Sequence, residues 1–158
     1  MPERRLPIAQ ILTLLAENPR RITEATEGWA PAQLHTAPTS DGWSANDVLA
    51  HVRACADVWG ECIVTMIAED RPTLRAINPR SWIKQTDYRE LGFQPSFGSF
   101  TAQRAELLAV LAALTRRPAA ISWRHATLHD AIAAMSVCCA AAGSTAAPPP
   151  TVGATKIG

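Results

Sequence analysis

Several features that mark common protein classes are absent from this chain of 158 residues. No apolar run reaches the length of a membrane-spanning helix, and the chain has neither a glycine-rich phosphate loop nor an internal repeat. Basic and acidic residues nearly balance, 15 against 14, for a formal net charge of +1. That balance gives no electrostatic reason to expect nucleic-acid binding. We therefore expect a cytoplasmic protein whose partners include neither a nucleic acid nor a membrane.

Cysteine is scarce, and its spacing argues against most cysteine chemistry. The four cysteines are Cys55, Cys62, Cys138 and Cys139. They form no CxxC motif, so a zinc finger or a thioredoxin-like site has no support. Cys55 and Cys62 are two turns apart on one predicted helix, which places their α-carbons about 10 Å apart, too far for a disulfide. We expect both to pack as small core residues.

The most informative stretch is residues 43–51, with the sequence WSANDVLAH. Ser44 is a good helix N-cap, and Asp47 takes the place of the acidic member of a capping box. His51 lies on or beside the apolar stripe of the helix that follows, where a histidine is either a packed residue or a metal ligand. The stripe has helical spacing and consists of Val48, Leu49, Val52, Cys55, Ala56 and Trp59.

The other regular elements that the sequence predicts are all helices. A first helix contains Leu6 to Leu15, and Asn18-Pro19 either ends it and begins a continuation to about Glu27 or kinks a single helix. Gly28 is a plausible terminator, and residues 30–34 look like one short helical turn. The second helix should cover residues 44–69, the third residues 99–115 and the last about residues 128–142. The apolar face of the third helix comprises Phe100, Leu107, Leu108, Val110, Leu111 and Leu114.

Residues 72–95 form a long connection between the second and third helices. They contain three prolines and one glycine, so we expect a crossover with little regular structure. A connection of this length is unusual in a compact domain and is often functional. Trp82, Tyr88 and Phe93 are expected to pack it against the helices.

The chain resembles the DinB-like superfamily of small bacterial four-helix proteins. In that family a tryptophan-serine pair opens the second helix, as Trp43-Ser44 does here, and a histidine further along it binds a divalent metal. The resemblance implies an all-α, DinB-like four-helix bundle, with a long crossover between helices 2 and 3 and a shortened or irregular last helix. It implies the same metal role for His51. The resemblance extends over residues 43–51, 53–60, 71–88, 100–108 and, more weakly, 123–127.

The C-terminal part departs from the family pattern, which places an HxxxH pair of metal ligands on the last helix. His125 and His129 have the spacing of such a pair, but they flank the predicted cap at Thr127. One way to complete the metal site is that these two histidines act as a shifted ligand pair. Another is that the thiolate of Cys138 or Cys139 replaces a histidine ligand. His51 alone cannot hold zinc or nickel, so the metal site is expected to be incomplete.

The tail is dominated by alanine, glycine and proline. Residues 1–142 are expected to form the helical domain and residues 143–158 a flexible tail. A change of reading frame in a GC-rich gene would also produce such a tail; genomic resequencing in the same frame, with the intact protein found in cells, would rule this out. A shortened last helix would expose core surface, which a homodimer would cover.

Three functions follow from these expectations. The first is a DinB-like protein with an incomplete divalent-metal site and little or no catalysis. The second, implied by characterised relatives, is a metal-dependent thiol S-transferase or thiol-dependent isomerase, in which zinc or nickel lowers the pKa of a thiol. The third is a small-molecule binding module that uses a cleft near Trp43, His51 and Trp59. The fold alone does not select a substrate.

Overall fold

The computed structural model describes residues 6–69, 72–74, 77–115 and 131–133. All regular structure in these ranges is helical, as the sequence predicts. Three long helices, α1 (Ile8–Thr26), α3 (Ala45–Ala68) and α5 (Phe93–Thr115), pack together, with α5 against both α1 and α3. The short helices α2 (Pro31–Leu34) and α4 (Pro79–Trp82) lie in the connections. No helix in the described ranges has the length and apolarity needed to cross a membrane.

The first helix is continuous through Pro19, so the structure supports the alternative of a single helix. Proline cannot donate the amide hydrogen that would bond the carbonyl of Leu15. The helix ends before Gly28, whose φ of +76° lies in the left-handed region that glycine occupies without strain. The predicted short turn at residues 30–34 is present as α2.

The predicted cap of α3 is confirmed. The hydroxyl of Ser44 accepts a hydrogen bond from the amide of Asp47, and the Asp47 carboxylate accepts one from the amide of Ser44. The backbone amides of both Ser44 and Asp47 thereby have a hydrogen-bond acceptor. The helix ends at Ala68, one residue before the predicted end.

The third long helix begins earlier than the sequence predicts. It starts at Phe93 rather than near Ser99, because Pro95 falls in the first turn, where no intrahelical amide bond is required. Phe93 is buried as the first residue of this helix. Val110, assigned to its apolar face, is 37% exposed, so that assignment is wrong.

Among the described residues, the two larger apolar clusters of the core lie along the bundle. The first joins α1, α3 and α5 to the helical residues 131–133; the second joins α2, α3 and α5. The first apolar cluster contains Ile11, Leu15, Ile63, Met66, Leu107, Leu111, Ala131 and Ile132. The second apolar cluster contains Leu34, Leu49, Val52, Phe93 and Phe100. Residues 131–133 lie inside the predicted last helix, and the rest of that helix lies outside the described residues.

The crossover has more regular structure than expected. It contains α4 and a 3₁₀ turn, Ile83–Gln85, and the side chain of Asn78 caps the start of α4. Ile83 packs on Ala50 and Ala54 of α3, with Trp82 and Tyr88 around it. The predicted packing of Trp82 and Tyr88 is therefore confirmed, and it places the crossover beside His51.

Candidate functional site

His51 lies in the second turn of α3, next to the loop tryptophan that precedes the helix. The imidazole is partly buried, and the indole of Trp43 meets it edge-on, with 5.3 Å between ring centroids and 70° between planes. Trp43 itself remains 36% exposed. The Ser44–Asp47 cap fixes the helix start between these two residues. Trp43 and His51 therefore form a partly exposed surface at the start of α3.

One turn further along α3, Cys55 lies against the same imidazole. The Sγ atom of Cys55 is 3.6 Å from His51 Nε2, and Cys55 is fully buried. The other ring nitrogen, Nδ1, is buried and has no hydrogen-bond partner. If the thiol donates to Nε2, the ring hydrogen must be on Nδ1, where no acceptor meets it. The prediction that Cys55 is a packed core residue holds, with this polar contact added.

The surroundings of His51 favour the neutral imidazole. Burial lowers the pKa of His51 below its ordinary value, and the positive charges of Arg80 and Arg89 on the crossover lower it further. Both causes act against the protonated ring. Near neutral pH the ring therefore offers a lone pair in a locally positive environment.

This pKa shift makes stability depend on pH. The unfolded chain binds the histidine proton near pH 6.5, and folded His51 binds it only at lower pH. The free energy of unfolding should therefore fall as pH decreases from about 6.5 through the lowered pKa. Urea denaturation of wild type and His51→Gln across this range tests it, with exposed His35→Gln as control. Equal pH slopes for wild type and His51→Gln would contradict the assignment.

A second cluster of polar contacts centres on Asp57, at the boundary of α3, α5 and the crossover. Its carboxylate accepts hydrogen bonds from Trp82 Nε1 at 3.1 Å, from the Tyr88 hydroxyl at 2.7 Å and from Gln103 Nε2 at 2.6 Å. Two of these donors belong to the crossover and one to α5. Asp57 thus joins three separate parts of the chain, and the sequence analysis did not single it out.

Arg53 extends this cluster. Its guanidinium lies 3.8 Å from the centroid of the Tyr88 ring and donates to the buried hydroxyl of Ser96 at 3.0 Å. Burial, together with the hydrogen bond to Asp57 and the charge of Asp57, raises the pKa of Tyr88 to about 12. The tyrosine hydroxyl is therefore held as a neutral donor.

The end of the crossover is held by Asn46, in the first turn of α3. Its Nδ2 donates to the carbonyl oxygens of Arg89, at 3.0 Å, and Leu91, at 3.2 Å. The side chain of Arg89 also lies 3.5 Å from Asp47 Oδ1. These contacts keep the positive charge of Arg89 close to His51. Asn46 sits within the family-like stretch, but its role depends on a segment more than forty residues away.

The sequence-predicted site residues are only partly brought together. The structure places Trp43 and Cys55 beside His51, whereas Trp59 packs against the first apolar cluster. The other proposed ligands, His125, His129, Cys138 and Cys139, lie outside the described residues.

The described residues do not by themselves provide a metal site. A structural zinc ion takes four protein ligands and a catalytic one three, but the described part of the chain holds no group of three or more histidine, cysteine or acidic side chains suited to a metal. His51 and Cys55 supply two donors at most. Arg80 and Arg89 add positive charge beside them, which opposes a divalent cation.

Comparison with known proteins gives one family. The family model described as the DinB superfamily matches residues 14–140. This span continues past Thr127, where the resemblance in the sequence ends. It includes both alternative sets of further metal ligands, His125 with His129 and Cys138 or Cys139. No curated protein matches, and no solved structure matches.

Proposed function

The chain belongs to the DinB superfamily. We propose that His51 occupies the helix position that binds a metal in that family, but that the divalent-metal site around it is incomplete. Such a site gives little or no catalysis. The observation that carries this proposal is the positive environment of the imidazole. Arg80 and Arg89 both disfavour a charged His51, and the same charges disfavour a bound dication.

Metal content tests the proposal directly. We expect purified wild-type protein, after incubation with zinc or nickel and removal of excess metal, to retain far less than one equivalent by elemental mass spectrometry. His51→Ala should give the same low value. His35→Ala, which replaces an exposed histidine, is the control. Near-stoichiometric metal that disappears only in His51→Ala would overturn the proposal.

The alternative function is a metal-dependent thiol S-transferase or thiol-dependent isomerase. One distance favours it. Two donors bound tetrahedrally to one zinc ion, with Zn–N near 2.0 Å and Zn–S near 2.3 Å, lie about 3.5 Å apart, and His51 Nε2 and Cys55 Sγ are 3.6 Å apart. The metal would stabilise a substrate thiolate. Retained metal lost in both His51→Ala and Cys55→Ser would support this function over the first.

A small-molecule binding function is favoured by a different observation. Trp43 is 36% exposed beside His51, and the two crossover arginines make the surroundings positive. Positive charge suits the anionic group of an organic ligand such as a thiolate or carboxylate, and the indole ring suits the apolar part of such a ligand. Binding without turnover, measured by calorimetry with a low-molecular-weight thiol, would distinguish this function from the enzyme.

A further inference from the structure

The second half of the crossover lies along α3. Asn46, Ala50 and Ala54 are one helical turn apart, so they form one row on that helix. Asn46 donates to two carbonyl oxygens near the end of this segment, at 3.0 and 3.2 Å, and Ile83 near its start packs on the two alanines. We call residues 82–91 the strap, and these contacts place it over this row of α3.

The strap also borders the neighbouring row, which contains His51. Asp47, His51 and Cys55 follow one another at intervals of four residues and therefore share one face of α3. On the strap, the Nε atom of Arg89 lies 3.5 Å from Asp47 Oδ1, one helical turn from His51. The strap is therefore a neighbour of the imidazole, in agreement with the effect of the Arg89 charge on that ring.

The strap has backbone hydrogen bonds of its own. Within it, the amide of Thr86 donates to the carbonyl of Ile83 at 3.2 Å, and the amide of Glu90 donates to that of Asp87 at 2.9 Å. Each contact with α3 given above instead involves at least one side chain. The strap can therefore separate from the helix without breaking its own turns.

Few apolar contacts hold the strap on the bundle. The structure describes all of the strap, and Ile83 is its one buried residue. The side chains that Ile83 contacts on α3 are small, the two alanines. The indole of Trp82 and the hydroxyl of Tyr88 donate to Asp57 in partly buried positions. Segments with few buried apolar contacts open at a lower free energy than the core, so we expect the strap to open before the helices separate.

Access to the nitrogens of His51 requires such a movement. Nδ1 is buried, and Nε2 lies 3.6 Å from the Sγ atom of fully buried Cys55. A ligand that binds through the imidazole must reach one of these atoms. Cys55 is on the same helix as His51, and the loop at Trp43 ends in the buried cap residue Ser44. The strap is therefore the neighbour with the most freedom to move.

We propose that the strap is a movable cover of His51, held in place by the hydrogen bonds from Trp82 and Tyr88 to Asp57, and that it opens while the three long helices stay packed. Asp57 keeps the donor from Gln103 of α5 when the strap opens, so its carboxylate remains hydrogen-bonded. The cover controls access to the imidazole for any ligand. It does not depend on the proposed metal site, and it can be tested without a metal.

Acylation of histidine by diethyl pyrocarbonate tests the cover in the full-length protein. At a pH of about 7.5, above the usual histidine pKa, mass spectrometry follows the rate at each histidine, with exposed His35 as internal reference. We expect His51 to react more slowly than His35. The double variant Trp82→Phe with Tyr88→Phe keeps both rings but removes both donors to Asp57. It should raise the rate at His51 about tenfold and leave His35 unchanged.

Leu111→Ala separates opening of the strap from unfolding of the bundle. It removes a buried side chain of the first apolar cluster and leaves the strap intact, so the ratio of the His51 rate to the His35 rate should stay at the wild-type value. An equal rise in this variant would overturn the proposal, because global unfolding would then give access. An unchanged His51 rate in the double variant would also overturn it and leave the Trp43 loop as the cover.

Discussion

Replacing Asp57 with alanine should lower the free energy of unfolding by about 3 kcal/mol, the largest effect we expect from a single polar substitution. The carboxylate accepts from Trp82, Tyr88 and Gln103. All three contacts are partly buried, so three donors lose their acceptor at once. Each loss costs about 1–3 kcal/mol when water is excluded and less where water enters.

Urea denaturation followed by circular dichroism measures this loss. Glu90→Ala is the matched control, because it removes an exposed acidic side chain from the same crossover. Asp57→Asn should lie between wild type and Asp57→Ala, since its amide keeps one acceptor oxygen. If Asp57→Ala were no less stable than Glu90→Ala, the three hydrogen bonds would contribute nothing net, and the crossover would be held by its other contacts, the apolar packing of Ile83 and the hydrogen bonds from Asn46.

Tyr88 should ionise about a hundredfold less readily than a free tyrosine, whose pKa is near 10. The structure raises its pKa to about 12, through burial first and then through the hydrogen bond to Asp57 and the charge of Asp57. The chain has only one tyrosine. An ultraviolet titration of tyrosinate therefore reports this residue alone.

Two comparisons make that titration specific. Asp57→Asn should lower the pKa of Tyr88, because the carboxylate charge is removed; Asp87→Asn should lower it less, since Asp87 is the last of the causes that raise it. Far-ultraviolet circular dichroism at each pH verifies that the helices persist. An ionisation near pH 10 with intact helices would show that Tyr88 is solvated and that the contact with Asp57 does not persist in solution.

The sequence predicted best what depends on neighbouring residues. Ser44 and Asp47 are three residues apart, and their reciprocal cap is found as expected. The start of α5 was missed because Gly92 and Pro95 resemble loop signals, whereas proline is tolerated in a first helical turn and burial of Phe93 favours the helix.

The site illustrates what local patterns leave out. Helical spacing predicts that His51 lies on or beside the apolar stripe, and the family resemblance implies its metal role, but its neighbours Arg80 and Arg89 come from the crossover. The partners of Asp57 are 25, 31 and 46 residues away along the chain. Spacing within one helix contains no information about contacts at such separations, so only the folded arrangement identifies Asp57 as the residue that joins α3, α5 and the crossover.

The proline inside α1 has a consequence for how the bundle opens. Without an amide at Pro19, the helical hydrogen-bond ladder is interrupted at Leu15. The first half of α1 packs with residues 131–133, and Ile22 in the second half packs with α2 and the start of α5. Local opening follows such packing groups. Amide hydrogens in the two halves of this one helix should therefore exchange with solvent as members of two different cooperative units.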